Sequence, residues 1–140
     1  MKKMVTLENS EPIMFDEKRK ARIESQVAEI FKTKKLFTQP QFTLKDLSQE
    51  THFSTNLLSA YFHQVLGTGF NDYINRLRVH YFKERLEDRE FIHFTLAALA
   101  KQCGFHNRNT FITAFKKIEG ITPSRYVRLY RESLYMEEAV

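Results

Sequence analysis

The side chains best suited to contact a binding partner are polar or basic, and they recur at helical spacing between residues 108 and 117. Arg108, Asn109, Thr113, Lys116 and Lys117 share one face of a predicted helix, because the apolar residues between them recur every three or four positions. Guanidinium, amide and hydroxyl groups in such a row exchange hydrogen bonds, and ammonium groups attract anions. The chemistry indicated is recognition of a polar, anionic surface.

Catalytic patterns are missing from the sequence. The five histidines have no Cys, Asp or Glu at metal-ligand spacing, and no Gly-rich phosphate loop or nucleophile motif is present. We therefore predict that the chain is not an enzyme and uses no cofactor and no metal ion. The single cysteine, Cys103, excludes an internal disulfide and is expected to be a small core residue.

The polar face needs a scaffold, and residues 95–126 supply the signals for one. Thr95 is a typical N-cap, Gly104 is placed to end the first helix with a positive φ, and His106 is the expected N-cap of the second helix. Gly120 ends that helix, and Pro123 at a first helical position begins another. This order of signals predicts a helix-turn-helix.

The same plan occurs earlier in the chain. Apolar and glycine positions of residues 44–53 match the later segment at an offset of 52, and those of residues 58–78 match at 53, so the later turn holds one extra residue. In the earlier copy His52 stands at the left-handed turn position, and Ser54 is the expected cap of the second helix. Thr43 with Asp46 resembles a capping box for the first helix.

Together these features resemble the DNA-binding domain of the AraC/XylS family of bacterial transcription regulators, over roughly two thirds of the chain. The matching motif positions are Leu96, Leu99, Ala100, Gly104, Phe105, Phe111, Phe115, Lys116, Lys117, Gly120, Pro123 and Tyr126. Departures are His52, where the family commonly has Gly, and Phe82 and Arg85, where it prefers a small and an apolar residue.

The resemblance implies an all-α fold of about seven helices, in which a long linking helix joins two helix-turn-helix units. We call residues 42–66 unit 1 and residues 95–119 unit 2. Residues 18–131 are the expected domain, residues 1–17 a linker or tail, and residues 132–140 an acidic C-terminal tail. The linking helix is predicted over residues 71–86, and the last helix from Pro123 to about Leu134.

The implied function is sequence-specific binding of double-stranded DNA, with the second helix of each unit in a major groove. Short polar side chains and Arg108 are the expected base readers, since amides pair with adenine and guanidinium with guanine. The base-reading candidates are Thr55, Asn56, Ser59, Ala60, Arg108, Asn109, Ile112 and Thr113. The phosphate candidates are Ser54, His63, Arg76, His106, Lys116, Lys117, Arg125 and Arg128.

Charge separates the two units. The chain has a formal net charge of +5, but residues 101–131 hold seven basic side chains against Glu119 alone, whereas residues 42–66 hold one basic and two acidic side chains. Unit 2 should therefore dominate attraction to phosphate. The alternative is a helical protein-interaction module with a basic face, for which binding would not weaken steeply with salt.

Other expectations concern the surroundings of the domain. A chain of 140 residues is too short for a sensor as well as two such units, so we expect a sensor upstream, through which dimerisation is possible, and no small-molecule site here. RNA polymerase is a second expected partner, and a cytoplasmic, DNA-associated location follows, with membrane tethering of a longer protein compatible. Arg78 is expected to form a structural ion pair, and Phe91, Ile92 and Phe94 to pack under unit 2.

Overall fold

The computed structural model describes residues 12–88 and 93–139. Within these ranges there is no strand, and seven α-helices follow one another: α1 Glu17–Lys34, α2 Leu44–Thr51, α3 Thr55–Ala60, α4 Phe70–Glu87, α5 Leu96–Gln102, α6 Arg108–Glu119 and α7 Pro123–Ala139. A 3₁₀ turn, Leu36–Thr38, lies between α1 and α2, and α3 continues into a π-helical turn, Tyr61–Val65. The predicted all-α fold with two helix-turn-helix units and a long linking helix is confirmed.

Helix starts follow the capping chemistry of the sequence. The Thr43 hydroxyl accepts from the Asp46 backbone N–H at 3.2 Å, and the Asp46 carboxylate accepts from the Thr43 N–H at 2.9 Å, which completes the capping box. The hydroxyls of Ser54 and Thr95 each accept from the backbone N–H three residues on, at 3.1 and 3.0 Å. The local sequence thus determines where α2, α3 and α5 begin.

Two apolar clusters hold the helices together. In unit 1, α1 lies over α2 and α3, and its Ile23, Val27 and Phe31 are buried with Phe62 and Leu58. The second cluster is built from α5, α6 and the second half of α4, with Val127 from α7; its buried residues are Val79, Phe82, Leu86, Leu99, Ala100, Cys103, Phe105, Phe111, Ala114, Phe115 and Val127. One helix, α4, therefore serves both cores.

The linking helix carries the side chains that join the clusters. Tyr81 is half-buried and packs against both. Phe82, the large residue at a position where a small one was expected, is fully buried and meets the rings of Phe111 and Phe115 at centroid distances of 5.0 and 5.7 Å. An aromatic network thus fills the space between α4 and α6.

The single cysteine is a core residue, as predicted. Cys103 has no exposed surface, and burial raises the pKa of its thiol to about 12. Because the thiolate is the reactive form, the thiol is chemically inert at neutral pH.

The last helix is longer than the sequence predicts. The expected end was about Leu134, but α7 continues to Ala139. Acidic residues of the expected tail, such as Glu132 and Glu137, therefore lie on a helix, which the good helix formers of this segment favour. Phe94 is 36% exposed, while Phe91, Ile92 and residues 1–11 of the expected tail lie outside the described ranges.

Candidate nucleic-acid interface

The second helix of unit 2, α6, begins one residue later than predicted. Asn107 is its N-cap, and the amide oxygen of Asn107 accepts from the Thr110 N–H at 2.8 Å. His106 is therefore not the cap; it is the extra residue of the turn, and its side chain is exposed. Asn displaces His because its short side chain reaches the backbone N–H groups of the first turn.

The α6 face opposite the core is polar, as predicted. Phe111, Ala114 and Phe115 are buried, and the residues on the other side are exposed except for the half-buried Ile112. The candidates that the structure brings together on this one helix are Arg108, Asn109, Ile112, Thr113, Lys116 and Lys117.

Grooves lie on both sides of α6. One groove, of about 560 Å³, lies where the N-termini of α5, α6 and α7 converge, and both Lys101 and Arg108 line it along with His106. Its lining contains no carboxylate. Helix N-termini carry partial positive charge, so both the basic side chains and the helix ends of this groove favour an anion.

The other groove, of about 660 Å³, separates α6 from the first half of α4. Arg76 lines it from α4, opposite Asn109 and Thr113 of α6. Here the Lys117 ammonium lies 3.3 Å from a carboxylate oxygen of Asp72, so one predicted phosphate contact is already paired. Helix α6 is thus a ridge between two grooves that each carry basic side chains, a shape that fits the major groove with a sugar–phosphate strand on each side.

The corresponding face of unit 1 is smaller. Thr55 and Asn56 are exposed, Ser59 and Ala60 are half-buried, and the Ser54 hydroxyl is engaged in its capping bond. The helical ridge has only six α-helical residues before the π-turn, which contains His63. His63 is exposed and lines a third groove, of about 460 Å³, at the N-termini of α2 and α4.

Acidic side chains distinguish the N-termini of α2 and α4 from those of the later helices. Asp46 lies in the first turn of α2 and Asp72 in the first turn of α4, whereas α5, α6 and α7 have no acidic residue there. The Thr43 backbone N–H holds the pKa of Asp46 below its usual value, which keeps this carboxylate charged. The N-termini of α2 and α4 therefore carry a compensating carboxylate, and those of α3, α5, α6 and α7 do not.

Two predicted phosphate contacts lie away from the ridge. Arg125 and Arg128 are exposed on α7, but neither lines the grooves beside α6. Sequence reasoning missed Lys101 and Asn75, which do line those grooves. A signal for Lys101 was available, since it is one of the seven basic side chains counted in residues 101–131.

Residues 12–88 and 93–139 contain neither a metal-binding cluster nor a membrane-spanning helix. No group of three or more His, Cys, Asp or Glu side chains in these ranges could hold a metal ion. No helix among them is long and apolar enough to cross a membrane.

Two capped helix-turn-helix units on a shared helix, with a polar ridge and basic grooves, define a DNA-binding domain. The model of a family described as a helix-turn-helix domain matches residues 47–129, and the chain belongs to this family, which is of the AraC/XylS type. It is a DNA-binding domain of the kind found in transcription regulators.

Relatives agree with this assignment. The chain is 31% identical over 88 residues to the uncharacterized transcriptional regulator YtdP of Bacillus subtilis, covering 63% of this chain and 11% of YtdP. Similar solved structures include the C-terminal domain of the response regulator yesN from Fusobacterium nucleatum, with TM-score 0.57 and 32% identity over 75% of this chain and 97% of that one. The C-terminal domain of AraT, a Geobacillus stearothermophilus response regulator, has TM-score 0.62 and 27% identity over 77% and 84%. The chain spans less than half the length of the curated relatives it matches.

Proposed function

We propose that this domain is the output part of a transcription regulator and binds double-stranded DNA with α6 and α3 in successive major grooves on one side of the duplex. The observation that carries the proposal is the pair of outward polar helices mounted on one linking helix. With 18 residues, α4 is about 27 Å long. Successive major grooves recur about every 34 Å, a comparable distance.

Base reading is assigned to the two outward faces. On α6 the readers are Arg108, Asn109, Ile112 and Thr113, and on α3 they are Thr55, Asn56, Ser59 and Ala60. Arg108 is the first residue of its helix, where a recognition helix contacts base edges, and its planar guanidinium matches the O6 and N7 of guanine. Asn56 offers the complementary pattern for adenine.

Phosphate binding is assigned to basic and polar side chains around the two recognition helices and on α7. Lys116 is exposed on α6 outside both grooves. Arg76 lines the groove next to α4, and His106 lines the groove on the other side of α6. His63, Ser54, Lys117, Arg125 and Arg128 complete this set, with Lys117 shared between DNA and Asp72. Such contacts position the domain without reading sequence.

The wider assignment follows from the role of an output domain. The yesN and AraT fragments are C-terminal domains of response regulators, which supports a sensing or receiver part upstream in the full protein. The domain acts in the cytoplasm on DNA, has no enzymatic step of its own, and regulates through DNA and a contact with RNA polymerase.

A footprint on a selected binding site tests the proposal. Binding sites are selected from a random duplex library with the wild-type chain, and hydroxyl-radical cleavage then maps the protected sugars. We expect two protected patches on one face of the duplex, separated by roughly 10 bp. Protection limited to one turn would contradict the two-groove arrangement, and binding insensitive to salt would contradict DNA recognition altogether.

A further inference from the structure

A second connection joins the two units besides the linking helix. The turn of unit 2 touches residues 37–40, which precede unit 1 and which we call the lead-in segment. A Cβ atom placed on Gly104 would lie 2.5 Å from the Phe37 carbonyl oxygen and 2.9 Å from the Cα of Thr38. Backbone contacts backbone here, so the turn of unit 2 directly contacts the lead-in segment, whose Phe37 is buried in the unit 1 core.

Arg78 of α4 lies at this contact and is only 7% exposed. Its Nε donates to the Phe37 carbonyl at 2.7 Å, and its Nη2 donates to the Gln39 carbonyl at 2.8 Å. Nη2 also approaches the Pro40 carbonyl at 3.4 Å, and Nη1 the Asn75 side-chain oxygen at 3.4 Å. One guanidinium group therefore binds the lead-in segment at several points.

The same guanidinium group faces unit 2. Its carbon lies 5.8 Å from the centre of the Phe105 ring, and Phe105 fills the turn of unit 2. The expected ion pair is absent from these contacts: the partners of Arg78 are carbonyl oxygens and an aromatic face. Carbonyl groups at the end of a 3₁₀ turn have no helical N–H partner. The planar guanidinium group of Arg78 donates hydrogen bonds to them, so both the carbonyls and the buried guanidinium group have partners.

We propose that Arg78 is a positioning residue that fixes the orientation of unit 2 relative to unit 1 and thereby sets the half-site spacing that the domain accepts. Helix α4 alone fixes a distance, but a helix bends and its two ends can rotate against their cores. A second attachment through Arg78 removes that freedom. The inference rests on the two-groove mode proposed above.

The test measures tolerance to spacing. Starting from the selected site, one or two base pairs are inserted between the half-sites, and each base pair rotates one half-site by about 35° relative to the other. A misplaced recognition helix loses base contacts, and even one mismatched base pair costs about tenfold or more in affinity. We expect the affinity of the wild-type chain to fall by about tenfold or more when the first base pair is inserted.

Arg78→Met keeps the length of the side chain but removes every hydrogen-bond donor. For this variant we expect weaker binding to the original site, and the loss of affinity caused by an insertion, which we call the insertion penalty, should fall to about twofold. Val79→Ala is the matched control, because Val79 is the next residue and is buried in the unit 2 core rather than at the contact. It should lower stability and keep the wild-type penalty. An unchanged penalty in Arg78→Met would overturn the proposal.

A measurement without DNA separates this inference from the proposed function. Spin labels are attached at Asn56→Cys on α3 and Asn109→Cys on α6, while the buried Cys103 remains unlabelled. Electron-resonance distances should form a narrow distribution in the wild-type background and a distinctly broader one with Arg78→Met. Equal widths would refute the role of Arg78 even if DNA binding followed the two-groove mode. Broadening would support the role of Arg78 in fixing the orientation of the units even if that mode failed.

Where Arg78→Met does not fold, as judged by circular dichroism, Arg78→Lys takes its place. Lysine retains the charge but offers a single point of attachment instead of a planar set of donors. We expect partial broadening and a partly reduced insertion penalty. Wild-type behaviour of Arg78→Lys in both measurements would show that the multipoint attachment is not needed.

Discussion

Unit 1 and unit 2 share one helical plan but present different charges to the same kind of partner. Two pairs of positions 53 residues apart illustrate the contrast: Thr55 and Arg108, and His63 and Lys116. In each pair unit 2 has the more basic side chain. Unit 2 is therefore suited to attract phosphate, and unit 1 is suited to discriminate between sequences without adding much general attraction.

The recognition helices differ in geometry as well. Helix α6 is regular over 12 residues and ends at Gly120, which has a φ of 84°. In unit 1 the α-helical part is followed by a π-turn, in which the Leu66 N–H donates to the Tyr61 carbonyl at 3.2 Å. A π-turn widens the helix locally. The unit 1 ridge thus offers the major groove a shorter regular surface.

The largest expected effect compares the two cores at equivalent positions. Phe62 and Phe115 are both fully buried, so replacing either by alanine should lower the free energy of unfolding by about 3–5 kcal/mol. Because the clusters are separate apart from Tyr81, Phe115→Ala should reduce hydrogen-exchange protection mainly in α5 and α6. Phe62→Ala should reduce it mainly in α1 and α3. Uniform loss of protection in both variants would show a single cooperative core.

The second largest expected effect concerns base reading by the first residue of each recognition helix. Arg108→Ala should cost about 1–3 kcal/mol of binding free energy and relax the preference at one base pair, whereas Thr55→Ala should cost less. Asn107 rather than Arg108 caps α6, so a capping role does not compete with this interpretation. Selection of binding sites from a random duplex library with each variant measures the base preference at every position. If Arg108→Ala keeps the guanine preference and weakens all sequences alike, Arg108 contacts phosphate instead.

Salt dependence distinguishes Lys116 from its counterpart His63. Lys116→Ala should weaken binding to every sequence and reduce the slope of log affinity against log salt by about one. His63→Ala, measured at the same pH, should leave the slope nearly unchanged. Affinity titrations at several salt concentrations provide the slopes. Equal changes in the two variants would contradict the assignment of phosphate attraction to unit 2.

The smallest effect concerns the carboxylate next to the unit 2 ridge. Asp72 pairs with Lys117 on the surface, with both side chains more than half exposed at 51% and 69%, so Asp72→Asn should change stability by no more than about 1 kcal/mol. It frees Lys117 and removes a negative charge, so affinity for random duplex should rise about two- to fivefold. Weaker binding by Asp72→Asn would show that the pair orients Lys117 towards the phosphate.

Local signals account for most of what was predictable. Caps such as Thr43 and Thr95, the left-handed His52 with its φ of 67° and the inward stripe of α6 all depend on residues within one or two helical turns. Two wrong predictions were local, the cap of α6 and the end of α7, and shifted a boundary; the wrong prediction of a contact involved partners distant in sequence. The ion pair expected for Arg78 is replaced by carbonyls about 40 residues away, a contact that exists only once the chain has folded.

The candidate site also has features that local sequence predicts and features that depend on distant residues. Helical spacing placed the α6 side chains correctly on one face, because that face depends on a period alone. The pairing of Lys117 with Asp72 spans 45 residues and could not be read from spacing. The same holds for the grooves, since each is lined by more than one helix and depends on how those helices pack.

Because α4 serves both cores, the order of synthesis matters. The unit 1 core is complete once α1 to α3 and the first half of α4 have left the ribosome. The second half then presents Val79, Phe82 and Leu86 without their partners until Val127 follows. At roughly 5–20 residues per second this delay lasts about 2–10 s. The nascent chain therefore exposes an apolar helical stripe for seconds, long enough for a ribosome-associated chaperone to bind it.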